Sequence, residues 1–511
     1  MPDLVVGLDS STQSTKAIAW DRAGNEIAHG RAPVTLSNPA MFCFEQDPDE
    51  WWSACGTAFR GLFAKVDPAR VAGVAISNQR ETVAFLDEAG RSVRPAMIWL
   101  DERARAYVAP IVEAIGHDRL HRITGRPPDV IPVLFRLAWM KDHEPEAYAR
   151  TAWFADVQGF LVEKLTGNRR TGWTSADPMG LYDLEAKRWS AELLGYLGLE
   201  EARLSQALAP GSEMGRVTAA AAAATGLAAG TPIFAAGGDG QCAGLGAGCI
   251  RSDRAYVNLG TALVGGIWSP DYLCTPAWRT ELAAQGEGYI FETCVRSGAF
   301  LINWFTDNLL GSADRGATLA ALEKRAAAVP IGSGGVMALP YWSGAMDPHW
   351  DASARGCLFG MGGNHDVAHV YRALLEGLTL HQVAALAEVE VHAGIRINEY
   401  VLIGGGAASA LWRQILADAA GLPVLVGETV EASSLGAAMA AACGAGWYPS
   451  ITAAAQAMLG PTTATEPIPA NTAAYRELLQ IFRDLYGATA DINHRLVDFA
   501  VRRQAEAGGK A

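Results

Sequence analysis

A chain of 511 residues is longer than one hydrophobic core ordinarily serves, because single domains stop growing near ~250–300 residues, so two domains are expected. Half of the residues are hydrophobic and 19% are charged, with 15 Trp, 13 Tyr and 15 Phe, which supplies two packed interiors and excludes extended disorder. The formal net charge of -13, with no Lys/Arg run, argues against nucleic acid or an anionic membrane as partner.

No basic segment or long apolar stretch precedes a strand predicted at residues 4–8, so no signal peptide is expected. A polar turn (9–15), a second strand (17–20), a turn at 21–25 and a third strand near 26–31 follow, which is an antiparallel meander. Asp47-Pro48-Asp49 is a helix start with acid in its first turn. Trp52, Cys55, Phe59 and Leu62 then recur at helical spacing, and residues 71–76 read as a buried strand. Strand alternating with helix places the chain in the α/β class. A domain boundary is expected near 246–253, where glycines and a charged turn interrupt the pattern. Beyond it the opening recurs, as strand 255–259, a tight turn at Gly260-Thr261 and strand 263–268, so the two halves are expected to be related. A helix is predicted over 367–392, with Val370, Leu374, Leu378 and His381 on one stripe. Strand 400–403, Gly404-Gly405-Gly406 and helix 410–420 come next. The alanine-rich stretches at 219–224 and 437–442 fall short of the ~20 apolar residues a membrane-spanning helix needs. Eight scattered cysteines form no metal-ligand pairs. Reduced thiols and a cytoplasmic location are expected.

Four segments carry groups suited to chemistry. In Asp9-Ser10-Ser11-Thr12-Gln13-Ser14-Thr15-Lys16, small hydroxyl residues between two strands can turn donors and the Lys16 cation toward phosphate oxygens, and Asp9 is placed to hold Mg²⁺ through water. Taken alone, such a stretch is more often simply a turn. Asn258-Leu259-Gly260-Thr261-Ala262 and Gly404-Gly405-Gly406-Ala407-Ala408-Ser409 put flexible backbone at strand ends. The glycine triplet before a helix would let a ligand approach the backbone at a helix N-terminus, though either segment could be structural. Neither a Walker A sequence nor a dinucleotide-binding G-x-G-x-x-G appears there. In Ala235-Ala236-Gly237-Gly238-Asp239-Gly240-Gln241, an acid in a glycine-rich turn is ordinarily a turn former. Between two halves, however, the Asp239 carboxylate can accept a hydroxyl proton during attack on a phosphoryl group. Lastly, Asn78-Gln79-Arg80-Glu81-Thr82 follows the strand at 71–76. Adjacent Arg and Glu are commonly a solvated pair, yet at a strand's carboxyl end Glu81 can accept from a polyol's hydroxyls and Arg80 donate to them. Trp99 would pack the carbon chain, with Asp101 and Arg103 downstream.

In this order the segments resemble the FGGY carbohydrate kinases over nearly the whole length. The most specific stretch is Gly356-Cys357-Leu358-Phe359-Gly360-Met361 followed by His369-Val370-Tyr371-Arg372-Ala373-Leu374-Leu375-Glu376. Glu45-Gln46-Asp47-Pro48 before Trp51-Trp52, Leu339-Pro340-Tyr341, Pro348-His349-Trp350 and Ala354-Arg355-Gly356 support it. The resemblance implies two ribonuclease-H-like domains of the actin and sugar-kinase superfamily with a cleft between them. Residues 1–247 would bind sugar and carry the first phosphate loop, 248–504 would bind ATP, and 505–511 would form a frayed tail. It further implies ATP and Mg²⁺, with Asp239 as catalytic base and Asp9 and Asp239 at the metal. Thr12, Gln13, Ser14 and Lys16 would form the first phosphate loop, Gly260 and Thr261 the second, and Gly405, Gly406, Ala407 and Ser409 the adenosine site. Arg80, Glu81, Trp99, Asp101, Asp239 and Gln241 would bind substrate.

The chain departs from the family pattern in two places. The first family signature has Lys where Arg136 stands, and Ala410 replaces a nucleotide-contacting Asn of glycerol kinases. For substrate the signals divide. Residues 78–82 resemble the glycerol-kinase motif, but the glycerol-site Tyr is missing near Ile131 and Gly240 replaces a glycerol-contacting Gln. Trp99-Leu100-Asp101-Glu102-Arg103, residues 402–407 and Trp412-Arg413-Gln414 resemble pentulose kinases. A linear ketopentose, D-xylulose first, is therefore expected, with glycerol or another polyol as the alternative. A non-enzymatic actin- or chaperone-like ATPase is the alternative of another class. The expected partner is a small sugar or polyol, neither nucleic acid nor membrane, with a homodimer as the candidate assembly.

Overall fold

The structure is a computed structural model, and it describes residues 2–508. The predicted meander forms β1 (Leu4–Ser10), β2 (Ser14–Trp20) and β3 (Glu26–Pro33), paired antiparallel in sequence. Both strands run further into the polar segment than expected, leaving only residues 11–13 as the turn. Helix α1 (Pro48–Phe63) starts at an Asp47 cap that accepts from Asp49 N. It turns Trp51, Cys55, Phe59 and Leu62, all buried, toward the sheet. Strand β4 (Val71–Asn78) lies parallel to β1, and β5 (Glu213–Arg216) and β6 (Pro232–Gly238) complete a six-stranded sheet in the order β5-β6-β4-β1-β2-β3. β1 and β4 are almost wholly buried and read as continuous apolar runs, as strands covered on both faces must.

The strand before Asp239 extends through Gly238, so Asp239 opens helix α2 (Asp239–Gly246) rather than sitting in the glycine turn read from the sequence. A second sheet repeats the plan. β7 (Arg254–Leu259) pairs antiparallel with β8 (Leu263–Ser269), and β9 (Arg279–Leu282) and β10 (Tyr289–Val295) extend that edge. After the long helix α3 (Val367–Ala393), β11 (Glu399–Ile403) joins β7 in parallel, followed by β12 (Val424–Gly427) and β13 (Thr462–Thr465). The order is β9-β10-β8-β7-β11-β12-β13. In each sheet a hairpin strand lies on one side of the first strand and a parallel crossover strand on the other, as two related halves require.

Helix α4 (Ala410–Ala420) has the predicted bounds, capped by Ser409. Helix α5 (Ala432–Gly444) comes from the second half of the sequence, yet it packs on β1, β4 and β6 of the first sheet and crosses α2. The crossing is close because side chains are missing there. A Cβ on Gly436 would lie 2.0 Å from the Cys242 carbonyl oxygen, and one on Gly246 2.0 Å from that of Ala432. The final helix, α6 (Pro469–Gly508), covers most of the stretch expected as a tail at 505–511, whose last three residues lie outside the described residues. All eight cysteines are free thiols. Among the described residues no helix is long and apolar enough to cross a membrane.

Candidate active site

The cleft between the halves holds a cavity of about 200 Å³ where β4 and β6 end opposite β7 and β8. Its first-half wall is Arg80, Glu81, Trp99, Ile131, Asp239 and Gly240. The opposite wall includes Asn258, Gly260, Thr261, Arg279, Cys294, Arg296 and Met346. Glu81 has a left-handed backbone with φ 47, a conformation that a residue with a side chain holds only when its surroundings enforce it. Arg136 provides that enforcement. Fully buried, it donates to the carbonyls of Glu81, Ile98, Ile131 (2.7 Å) and Met97 (3.2 Å), gathering the backbone of two cavity residues and of the strand end before Trp99. The family signature has Lys here, and one ammonium offers fewer directed donors than a guanidinium fork.

Asp239 stands at the N-terminus of α2 with its carboxylate part-exposed to the cavity and 3.3 Å from Arg80 Nε. Burial raises its pKa, and Arg80 opposes that rise. Asp9, at the end of β1, accepts from Ser77 Oγ at 2.9 Å. Burial and then the negative charge of Asp239 push it up to about 7. Burial is thus the main cause at both carboxylates, with the charge of Asp239 adding to it at Asp9.

Arg80 is not a free donor. Its guanidinium reaches Glu281 at 2.6 Å and Glu292 at 3.1 Å, both fully buried and both from the second half. Arg126 joins Glu281 (2.9 Å) to Asp177 (2.8 Å), and Arg279 contacts Glu81 at 3.5 Å and Glu292. Burial pushes Glu281 up to about 7; it acts on Glu292 too, but Arg80 and Arg279 outweigh it and hold that carboxylate low. This cluster ties the halves together beneath the cavity. The sequence reading missed Arg126, Asp177, Arg279, Glu281, Glu292 and Arg296, because ion pairs between strands two hundred residues apart leave no local pattern. Alternation of Arg279 and Glu281 on one strand face is the single trace they leave.

Other expected residues fall into three groups. Gly260 and Thr261 line the cavity, and Thr12 meets it by accepting from Trp99 Nε1 at 2.8 Å. Lys16 is paired with Glu431 at 2.5 Å, Gln13 is exposed and Ser14 buried in its strand. Gly405, Gly406 and Ala407 lie in a single short turn of helix after Gly404, whose φ is 81. Gly405 is open to solvent, Ala407 is buried, and Ser409 Oγ is occupied by the α4 cap and by Glu323 (2.6 Å). Asp101 and Gln241 are not brought to the cavity. The Asp101 carboxylate, fully buried, accepts from Phe44 N at 2.8 Å and Arg103 Nε at 2.9 Å, and Gln241 is buried beside Asp177. The reading of Asp101 as a sugar acceptor is thereby corrected: its lone pairs hold the Trp99–Arg103 loop instead.

Two duplicated α/β halves with a carboxylate at a polar cavity between them are the framework of an enzyme that acts on a small molecule in the cleft. Comparison with known proteins makes this specific. Residues 4–246 match the N-terminal domain, and residues 255–445 the C-terminal domain, of the FGGY family of carbohydrate kinases. The chain is 28% identical to a xylulose kinase of Bacillus subtilis (strain 168), over 97% of this chain and 99% of that one. It is 31% identical to a glycerol kinase of Aromatoleum aromaticum, over 88% and 91%. The crystal structure of xylulose kinase from Rhodospirillum rubrum superposes with a TM-score of 0.88 at 28% identity, covering 96% of this chain and 100% of that one. The chain belongs to the FGGY family of carbohydrate kinases.

Proposed function

We propose that the enzyme transfers the γ-phosphoryl group of ATP to the terminal hydroxyl of a linear ketopentose, D-xylulose first, in the cytoplasm. The observation that carries the choice is the composition of the cavity. Asp239 and Glu81 supply acceptors on its wall, Arg80, Arg279 and Arg296 supply cations already paired with carboxylates, and Trp99, Ile131 and Met346 supply apolar wall. A three-carbon substrate would leave polar groups of this wall without a hydroxyl to pair, at ~1–3 kcal/mol each. Ile131 lines the cavity where a glycerol-binding Tyr would be expected, and the xylulose kinases among the relatives support the same reading.

Asp239 would take the proton of the attacking hydroxyl, and its partial exposure leaves it within reach of that hydroxyl. Asp9 and Asp239 would hold Mg²⁺, which supplies charge neutralisation at the phosphates. Thr12, Gln13, Ser14 and Lys16 with Gly260 and Thr261 would bind those phosphates, Lys16 exchanging Glu431 for them. Gly405, Gly406, Ala407 and Ser409 would take the adenosine.

Glycerol or another polyol is the second reading, favoured by Arg80 and Glu81 both lining the cavity. The test is kcat/KM across pentuloses, glycerol and four-carbon polyols. D-xylulose should lead, whereas glycerol or a four-carbon polyol ahead of every pentulose by roughly tenfold, about 1.4 kcal/mol, would overturn the choice. ADP release that ignores every sugar and polyol would instead favour a chaperone-like ATPase.

A further inference from the structure

The stripe of α3 read from the sequence ends in His381, and the fold buries this side chain without satisfying it. His381 is 2% exposed; its Nδ1 lies 3.3 Å from the Tyr341 hydroxyl, and its Nε2 has no partner. The same holds of its neighbour Asp347. That carboxyl is fully buried, its Oδ1 accepts from Cys294 N at 2.6 Å, and its Oδ2 has no partner. The two unpaired atoms lie 4.0 Å apart, about 1 Å beyond a hydrogen bond. A buried polar atom left unpaired costs free energy, and native cores pair nearly all of theirs. One hydrogen bond between this oxygen and this nitrogen satisfies both.

The protonation states are complementary. Burial pushes Asp347 up to about 8, so it holds a proton at neutral pH, and burial followed by His349 pushes His381 down to about 3, so one ring nitrogen keeps a lone pair. Of the other groups facing Asp347, Arg279 on β9 and Glu292 on β10 are paired with each other. The Cys294 thiol and the Tyr341 hydroxyl are pushed up by burial and His349 is pushed down by it, so these three stay neutral. The place of the bond gives its consequence. Cys294 and Met346 line the cavity and pack with Ile131, and Asp347 holds the backbone of the first and directly follows the second. We propose that His381 is a positioning residue of the cavity: its Nε2 accepts the Asp347 proton, and that bond anchors the Cys294–Met346 wall to α3. Nδ1 then keeps the imidazole proton and donates to the Tyr341 oxygen. The role rests on the reading of this cavity as the sugar site.

Nitrogen NMR of the full chain, labelled at histidine, tests the bond. At about pH 7 the His381 signals, assigned by their loss in His381→Gln, should be those of the Nδ1–H tautomer, and the Nε2–H tautomer overturns the proposal. Asp347→Asn, whose amide donates to the same nitrogen, should keep that tautomer; a change of tautomer in it overturns the bond as well. Kinetics tests the positioning, with D-xylulose or whichever substrate leads the panel. His381→Leu should raise the KM for sugar at least about fivefold, with kcat and the KM for ATP within about twofold of wild type. His381→Gln, which returns an acceptor near the position of Nε2, should recover most of that loss. Equal rises in both KM values, or a His381→Gln protein no better than His381→Leu, overturn the role. An ineffective His381→Leu beside a Glu81→Ala that raises the KM for sugar overturns the role alone. If neither variant moves that KM, the reading of the cavity falls with it.

Discussion

The residues at the cavity lend themselves to separate tests because their surroundings separate their roles. Asp239→Asn preserves shape and removes the proton acceptor. Turnover should fall by roughly 10²–10⁴-fold with ATP binding nearly intact, and near-normal turnover in a folded variant would exclude it as the base. Arg136→Lys restores the residue of the family signature but cannot reach four carbonyls. The Glu81 backbone should relax, and the KM for sugar should rise severalfold with the KM for ATP unmoved; equal effects on both would point to general loosening. Asp347, in the segment just after Met346 of the cavity wall, is fully buried, and burial pushes its carboxyl up to about 8 although Cys294 N donates to it at 2.6 Å. A carboxyl whose pKa is raised in the fold binds its proton more tightly than the unfolded chain does. Stability is therefore lost as pH rises from near 4 to about 8. Asp347→Asn keeps the acceptor and abolishes the titration. Its stability advantage over wild type should grow by about 2–3 kcal/mol between about pH 6 and about pH 9, read from thermal melts; a pH-independent difference would contradict this.

Among the elements, the crossing of α2 and α5 is the joint on which the halves meet, and it depends on missing side chains. The Cβ introduced by Gly436→Ala would meet the Cys242 carbonyl at 2.0 Å, which is backbone and cannot swing aside. The helices must separate, at a cost of about 1–3 kcal/mol. Because α2 begins with Asp239, the shift should reach the cavity and lower kcat as well. Alanine at Gly311, which has nothing within 4 Å and a φ of 60, is the control: it should show backbone strain in stability without loss of turnover.

For the whole molecule, the buried ion cluster decides how the halves sit. Arg80 and Arg126 of the first half share Glu281 of the second, and Arg296 of the second reaches Glu102 (3.1 Å) and Asp129 (3.0 Å) of the first at the cavity wall. Removing one partner from a buried set strands the others. Glu281→Ala should cost roughly 3–5 kcal/mol, seen as a large fall in Tm, whereas Arg296→Ala, at a more open pair, should cost far less and instead raise the KM for sugar. A Glu281→Ala protein as stable as wild type would show that the cluster does not hold the halves together.

The sequence by itself determined the repeating strand-helix order, because apolar periodicity and turn residues act over a few positions. The meander at 4–31, the helix at Asp47-Pro48-Asp49 and the helix at 410–420 all follow from local chemistry. It also placed Arg80, Glu81, Trp99 and Asp239 on one cavity in advance: Arg80, Glu81 and Asp239 follow the ends of neighbouring parallel strands, which converge. Only the tertiary structure decided which polar groups face that cavity. Asp101 looked like a sugar ligand, but its oxygens are used by Phe44 N and Arg103, while Arg279 arrives from β9 and Arg296 from the turn after β10, both of the other half. The return of α5 to the first sheet was equally illegible, because an alanine-rich helix fits any close contact and does not name its neighbour. Local patterns specify an element's kind and direction; which distant charges pair is set by where the elements meet, and that depends on the whole chain at once.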